Sequence, residues 1–344
     1  MRKYTFLFFT IMFMIGTDTF LISPMLPTLQ TQFGVTTAYA GWMIGAYTLG
    51  SAIFALIAGP LSDGWNRRTV MLCGLLGFSI TTICCGFANS FWTMCLFRFL
   101  AGVSAAFTAP QVWASIPAVV PAPRISKTMG VAFSGLAAAQ ALGVPIGSWL
   151  AGAHWSVPFW TIGVLSLLLA AFAFYLLPDM KPQTHERISI WGRYVPLLTN
   201  GKARSGFTAY LLLHLGGGTV MAFIGKWLAD RFVLPIEQIG TVMMFLGFGT
   251  LAGSMISSAV TQKLGRTNTV VAGMGLLIFL YPAAPHLTNI PAVTAAYLVI
   301  FTILGVLFPI IMEALTALNS SIRGTISSLA NSTMNGANTL GAWM

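Results

Sequence analysis

Long apolar runs are the feature of this sequence that most limits its fold. They recur along the whole chain, each about as long as the roughly 20 residues that an α-helix needs to cross a bilayer. Only 7% of the 344 residues are charged, against about 25% in a soluble domain. Because so few charges cannot cover a water-facing surface, the sequence predicts an all-α polytopic membrane protein.

The apolar runs predict eleven membrane helices joined mostly by short loops. Their expected ranges are 5–27, 38–60, 69–88, 91–113, 127–150, 157–177, 206–225, 238–261, 268–285, 291–313 and 324–344. The four cysteines lie in the third and fourth ranges without metal or redox spacing, so we expect packed free thiols.

The basic residues predict the orientation in the membrane. With the N-terminus inside, fourteen of the seventeen Lys and Arg residues fall on the inner side, as the positive-inside rule requires. Only Lys226 and Arg231 fall outside, and Arg98 lies within a helix. We therefore expect a multi-pass protein of the cell membrane (plasma or inner) with a cytoplasmic N-terminus. The net charge of +10 follows from this bias and does not indicate a nucleic-acid partner.

The second part of the chain repeats the first. The polar turn after the eighth run resembles the turn after the second, and it pairs Gly265 with Asn66, 199 residues earlier. We predict an N-terminal six-helix bundle at 1–178 and a cytoplasmic central loop at 179–205. A C-terminal bundle of helices seven to eleven follows at 206–344. We expect this second bundle to be incomplete, because the sequence stops within helix eleven.

The turn at residues 59–68 carries charges of both signs between two membrane-length runs. It is similar to the loop between helices two and three of the major facilitator superfamily, whose pattern is G-x-L-a-D-R-x-G-R-R. The matching residues are Gly59, Leu61, Asp63, Arg67 and Arg68. Asn66 replaces the second glycine, and we expect it to take the left-handed backbone conformation that the glycine would supply.

This resemblance implies two six-helix bundles, and a role for the turn. In the family the turn packs against the start of helix eleven and helps to hold the outward-open state. Gly59, Asp63, Arg67 and Arg68 would then form a conformational latch. The alternative is a charged turn that only sets topology.

Asp18 is the only acid deep in the helices of the first half, about 20 Å from the inner surface at 1.5 Å per residue. Such an acid faces a cavity or a partner, and it can exchange a proton with either side. Otherwise it is structural and neutralised by a neighbouring helix. Arg98 lies at similar depth and matches the arginine of the family's helix-four signature, which implies proton coupling. Alternatively, Arg98 snorkels or holds backbone carbonyls.

Helix five carries a glycine- and proline-containing segment. Gly143, Pro145 and Gly147 resemble the family's helix-five signature, which accompanies antiporters and supports export. Glycines four residues apart let a neighbouring helix approach closely, and proline bends a helix. Ordinary small-residue packing is the alternative.

Polar and aromatic side chains in the helices are candidates for a substrate cavity between the two bundles. They are Gln111, Trp113, Gln140, His214, Asn331 and Asn335. Asn338 extends the two asparagines into a stripe along helix eleven. The stripe either binds substrate or forms hydrogen bonds between helices. His214 either shuttles protons or is a packing residue.

The resemblance implies a secondary active transporter, a proton-coupled exporter of small molecules such as drugs, sugars or purines. The alternative is a proton symporter or facilitator for metabolite uptake. The expected partners are a small-molecule substrate, protons and the lipid bilayer, and we expect a monomer. Sequence motifs of zinc proteases and serine hydrolases are missing, so we expect neither an enzyme nor a cofactor or metal.

Overall fold

A computed structural model describes residues 2–62, 65–121, 124–180, 192, 194–316 and 323–343. In these ranges eleven long helices follow one another, numbered α1 to α11. They are α1 Arg2–Phe33, α2 Trp42–Ser62, α3 Arg67–Cys85, α4 Phe91–Val119, α5 in consecutive pieces Ile125–Ala138, Ala139–Gly143 and Val144–Ala153, α6 Val157–Leu176, α7 Gly201–Phe232, α8 Ile236–Leu264, α9 Arg266–Ala283, α10 Ile290–Thr316 and α11 Arg323–Trp343. Short helices lie at Thr37–Ala40 and Val195–Thr199.

The helices confirm the all-α polytopic class. In the described part of the chain, ten of them are long and apolar enough to cross a membrane. The remaining one, α11, is a helix of suitable length, but its serine, threonine and asparagine residues make it more polar than the others. The four cysteines are free, as expected.

The two halves are built by the same contacts, 199 residues apart. Where α2 meets α4, a Cβ on Gly50 would overlap the Phe99 carbonyl oxygen, and where α8 meets α10 the same holds for Gly249 and Leu298. The arginines that begin α3 and α9 also agree. Arg67 Nη1 donates to the Ala114 carbonyl at 2.7 Å, and Arg266 Nη2 donates to the Ile310 carbonyl at 2.8 Å. Each half therefore holds its second, third and fourth helices together in one way.

Helix α1 is longer than predicted, because Pro24 and Pro27 lie inside it and do not end it. A proline lacks the N–H that would reach the carbonyl four residues earlier. For Pro27 this carbonyl belongs to Ser23, and it lies against Gly225 of α7, where a Cβ would overlap it. Neighbouring helices make such breaks tolerable in membrane segments.

Two local expectations were wrong. Asn66 is not left-handed: its φ is −65° and ψ 113°, and its side chain caps α3 by accepting from Arg68 N. The equivalent Gly265 does have a positive φ of 79°. Helix α7 begins at Gly201, inside the predicted loop, because the Asn200 side chain caps it by accepting from Lys202 N at 2.9 Å.

The halves pack together mainly through α1 with α7, α2 with α11, and α5 with α8. Several close contacts lie at the end that the charge distribution predicts to be outside. There a Cβ on Gly41 would overlap the Ala342 carbonyl, and the rings of Trp42 and Trp343 are 6.2 Å apart. We refer to this whole contact between the halves as the seam.

Candidate functional site

A buried ion pair joins α1 and α4 inside the first half. Arg98 Nη1 donates to Asp18 Oδ2 at 2.7 Å, and both side chains have no exposed surface. Arg98 also donates from Nη2 to the Asp18 carbonyl and from Nε to the Met43 carbonyl, both at 3.3 Å. The guanidinium carbon lies 4.4 Å from the centre of the Tyr47 ring. Arg98 therefore holds backbone carbonyls, one of the alternatives, and pairs with Asp18 at the same time.

Close packing of α2 on α4 places these groups together. A Cβ on Gly102, one turn after Arg98, would overlap the Tyr47 carbonyl, so only glycine lets the two backbones approach this closely. Thr19 Oγ1 then donates to the Tyr47 hydroxyl at 3.1 Å. Among the described atoms, Asp18 Oδ1 is buried and has no hydrogen-bond partner. This oxygen is the position in the pair where a proton can bind without displacing Arg98 first.

The helix-five signature packs against α1 next to the ion pair. A Cβ on Gly143 would overlap Thr17, the residue before Asp18, and one on Gly147 would lie 2.5 Å from Leu21 Cδ1. The segment Ala139–Gly143 is a π-helical turn, a form that often occurs at functional sites. Its other side meets α8, because a Cβ on Gly247 would overlap the backbone of Ala141. The π-turn thus separates the ion-pair helix from the second half.

Gln140, within the π-turn, bridges the seam. Its Oε1 accepts from Thr250 Oγ1 of α8 at 3.1 Å, and its Nε2 points at Met221 Sδ of α7 at 3.8 Å. It is one of the predicted cavity residues, and it contacts two helices of the other half.

The polar residues of α11 face both halves. Thr339 and Thr48 share a hydrogen bond of 2.8 Å across the seam, and Ser332 donates to the Ala52 carbonyl at 2.7 Å. Asn335 is buried and donates to Asn331 Oδ1 at 2.8 Å. The asparagine stripe therefore forms hydrogen bonds within its own helix, beside hydroxyls that bond across the seam.

A groove of about 460 Å³ lies between α2, α7 and α11. It is lined by apolar side chains and by the hydroxyl-bearing Thr208, Thr333 and Thr339. Because α2 belongs to the first half and the other two helices to the second, the groove lies on the seam.

Aromatic rings also cross the seam, and the sequence did not single out most of them. Trp113 lies 6.4 Å from Phe133, and Phe133 stacks on Phe308 of α10 at 5.2 Å between ring centres. Tyr210 and His214 of α7 join at Phe308. Of the six predicted cavity residues, the structure places Trp113 and His214 in this cluster.

Gln111 does not join the other cavity candidates. It is buried on the face of α4 that also carries Ser104 and Thr108, and these two contact Gly74 of α3. Both polar atoms of its amide lack a hydrogen-bond partner among the described residues. A sequence shows that a glutamine lies in a helix, but not which neighbouring helix it faces.

The predicted latch is described only in part. Asp63 lies outside the described residues, and Gly59 lies within α2. Arg68 pairs with Asp179 after α6 at 3.1 Å, and Asn66 donates to the same carboxylate at 3.0 Å. These contacts tie the start of α3 to the end of α6 within the first half. A latch to the start of α11 stays a prediction.

A helical bundle in two repeated halves, with polar contacts along the seam and a buried charge pair beside it, defines a class: the polytopic transporters whose two halves move against each other. The chain belongs to one family of this class, the Major Facilitator Superfamily, whose family model matches residues 8–342. It is 46% identical over 336 residues to the MFS-type transporter YceJ of Bacillus subtilis (strain 168), which covers 97% of this chain and 86% of that protein.

More distant similarities extend over half or all of the chain. The quinolone resistance protein NorA of Staphylococcus aureus (strain Mu50) is 26% identical over 184 residues, 54% of this chain and 47% of NorA. The gallate transporter of Pseudomonas putida is 28% identical over 172 residues, 50% of this chain and 38% of that protein. A solved structure of a D-xylose-proton symporter shares the fold, with a TM-score of 0.79 at 15% identity, over 99% of this chain and 89% of the other.

Proposed function

We propose that the protein is a proton-coupled exporter of small molecules in the cell membrane, which exchanges inward-moving protons for outgoing substrate by alternating access. The observation that carries the proposal is the buried Asp18–Arg98 pair. An ionisable pair within a membrane helix bundle is expensive, and such groups usually mark an ion or substrate pathway.

The pair can sense a proton at its open oxygen. A proton on Asp18 Oδ1 neutralises the carboxyl group and removes most of its Coulomb attraction for Arg98. Arg98 keeps its two bonds to backbone carbonyls, so its position on α2 is retained while its hold on α1 weakens. Protonation therefore changes how firmly α1 is fixed to α4.

The change can reach the seam through two residue contacts. Thr17 of α1 packs on Gly143 of the α5 π-turn, and Ala141 of the same turn packs on Gly247 of α8. Gln140 adds a hydrogen bond to Thr250 at this level. Substrate that binds between the halves and a proton that binds at Asp18 thus act on the same contact.

The similar proteins support small-molecule transport without deciding its direction. NorA is named for quinolone resistance and another relative for gallate transport. Export of drugs, sugars or purines is our proposal, which the helix-five glycines and proline favour. A proton symporter or facilitator for uptake is the alternative.

The test uses inverted membrane vesicles that contain the protein and a pH-sensitive dye. After the vesicles are energised, cationic dyes, sugars and purines are added in turn. We expect at least one compound to dissipate the proton gradient in the wild type and not in the Asp18→Asn variant. Asp230→Asn is the matched control, because Asp230 lies in an exposed pair with Lys226 and should leave the response unchanged.

Counterflow of the responding compound checks that the variant still binds and moves substrate. If Asp18→Asn alone does not fold, Asp18→Asn with Arg98→Met removes both charges and takes its place. An equal gradient response in wild type and variant would refute coupling through Asp18. Counterflow in both proteins without any gradient response would favour the facilitator, and a response of opposite sign would favour the symporter.

A further inference from the structure

Five rings form a continuous cluster across the seam, which we call the aromatic cage: Trp113, Phe133, Tyr210, His214 and Phe308. The first two belong to α4 and α5 in the first half, and the others to α7 and α10 in the second. Phe133 and Phe308 both lie about two helical turns from the predicted inner ends of their helices. The cage is therefore a place where the halves meet through side-chain rings.

Phe133 and Phe308 form its centre. Their ring centres are 5.2 Å apart and their planes differ by 18°, which is an offset stack. Because each ring comes from a different half, movement of the halves separates them and leaves two nearly parallel aromatic faces. A flat ring fits between such faces when they are about 7 Å apart, twice the contact distance of carbon atoms. A molecule with tetrahedral shape does not fit this slot.

His214 adds a polar group at the edge of the cage. Its ring lies 4.4 Å from Tyr210 in an edge-to-face arrangement and 6.1 Å from Phe308. Its Nε2 is buried and has no hydrogen-bond partner among the described residues. Leaving a buried polar atom unpaired costs about 1–3 kcal/mol. A ligand with an N–H or O–H group at its ring edge can remove this cost.

The cage offers shape and one hydrogen bond rather than a countercharge. The acid nearest in the first half, Asp18, is committed to Arg98 on another face of the bundle. Recognition in the cage then depends on stacking, which is worth roughly 1–3 kcal/mol for each flat ring held on an aromatic side chain.

We propose that the aromatic cage is the substrate slot, and that it takes planar aromatic molecules with a hydrogen-bonding group at the ring edge. The molecule stacks between Phe133 and Phe308, and its edge group bonds to His214 Nε2. This inference rests on the proposed function, because it assigns the substrate class of the same transporter.

The test compares two monovalent organic cations that differ in shape. Proflavine is flat and carries amino groups at its edge, whereas tetraphenylphosphonium is tetrahedral and carries none. Binding of each probe to the purified protein in nanodiscs, without a proton gradient, is measured by proflavine fluorescence and by calorimetry. The variants are Phe133→Leu, Phe308→Leu and His214→Phe, which keep apolar volume. The control is Phe107→Ala, whose ring packs on Phe54 within the first half.

We expect each phenylalanine variant to weaken proflavine binding about tenfold or more, as the loss of one stacking face predicts. His214→Phe should weaken it by a similar factor, because the hydrogen bond to the amino group is lost while the ring remains. Tetraphenylphosphonium should bind equally in all variants or be excluded from all, and Phe107→Ala should change neither probe.

Three results would overturn the inference: no binding of proflavine to the wild type, unchanged proflavine affinity in the cage variants, or equal weakening of both probes. The outcome is separable from that of the proposed function. Cage-dependent binding without proton movement in vesicles would keep the substrate slot and refute the coupling. Proton-coupled transport that is insensitive to the cage variants would keep the coupling and refute the slot.

Discussion

Removing one charge of the Asp18–Arg98 pair should have unequal effects on the two sides. Asp18→Asn leaves the Arg98 guanidinium buried without its counterion, and a guanidinium cannot lose its proton in a protein. Breaking a buried pair in this way costs about 3–5 kcal/mol. Arg98→Met leaves a carboxyl group, which becomes neutral by taking up a proton, and its cost should be smaller.

The double variant gives the sharper result. Asp18→Asn with Arg98→Met leaves a polar amide and an apolar chain against the Tyr47 ring, with no buried charge. Replacing both partners of a buried pair is often nearly neutral. The double variant should therefore recover most of the stability that Asp18→Asn loses. The coupling between the two sites is then read as the failure of the single effects to add.

The assay is thermal unfolding of purified protein in detergent, followed by near-ultraviolet circular dichroism. At roughly 2–4 °C for each kcal/mol in a half of this size, Asp18→Asn should lower the midpoint by about 6–20 °C. Asp230→Asn, in an exposed pair, should shift it by no more than about 2 °C. Equal losses for Asp18→Asn and Arg98→Met, or a double variant no more stable than Asp18→Asn, would refute the reasoning.

Three further substitutions test the packing. Gly102→Ala should destabilise the protein by about 1–3 kcal/mol because its methyl group meets the α2 backbone, whereas Gly275→Ala, with open space around it, should not destabilise it in the same melting assay. Thr339→Val should remove the hydrogen bond to Thr48, worth about 1 kcal/mol, and shift the balance of conformations about fivefold, as seen by spin-label distances across the seam; an unchanged distance distribution would contradict this. Asn66→Ala should cost about 1–2 kcal/mol through loss of the α3 cap, and a melting midpoint equal to that of the wild type would argue against the cap.

Helices, repeat and ion pair were accessible from sequence because charge is rare in an apolar chain. Asp18 and Arg98 stand out for that reason, and similar depth in their helices was enough to suggest proximity. The repeat of 199 residues likewise predicted matching corners, and the contacts of Arg67 and Arg266 agree with it.

The aromatic cage and the loop contacts were not accessible in this way. The sequence contains 25 phenylalanines, and nothing distinguishes Phe133 and Phe308 until two halves are brought together. Asn66 was expected to replace a left-handed glycine because only its neighbours were considered. Its conformation follows from Asp179 and Met180, which bind its side chain from the end of α6.

The contact of Ser23 with Gly225 bears on the speed of the conformational change. Pro27 leaves the Ser23 carbonyl without its helical donor, and the bare backbone of α7 lies directly against it. No long side chain has to choose a new rotamer when this contact opens or closes, so little side-chain entropy is spent at each passage. Here the halves meet backbone to backbone, which favours rapid cycling between states over a firm lock in either one.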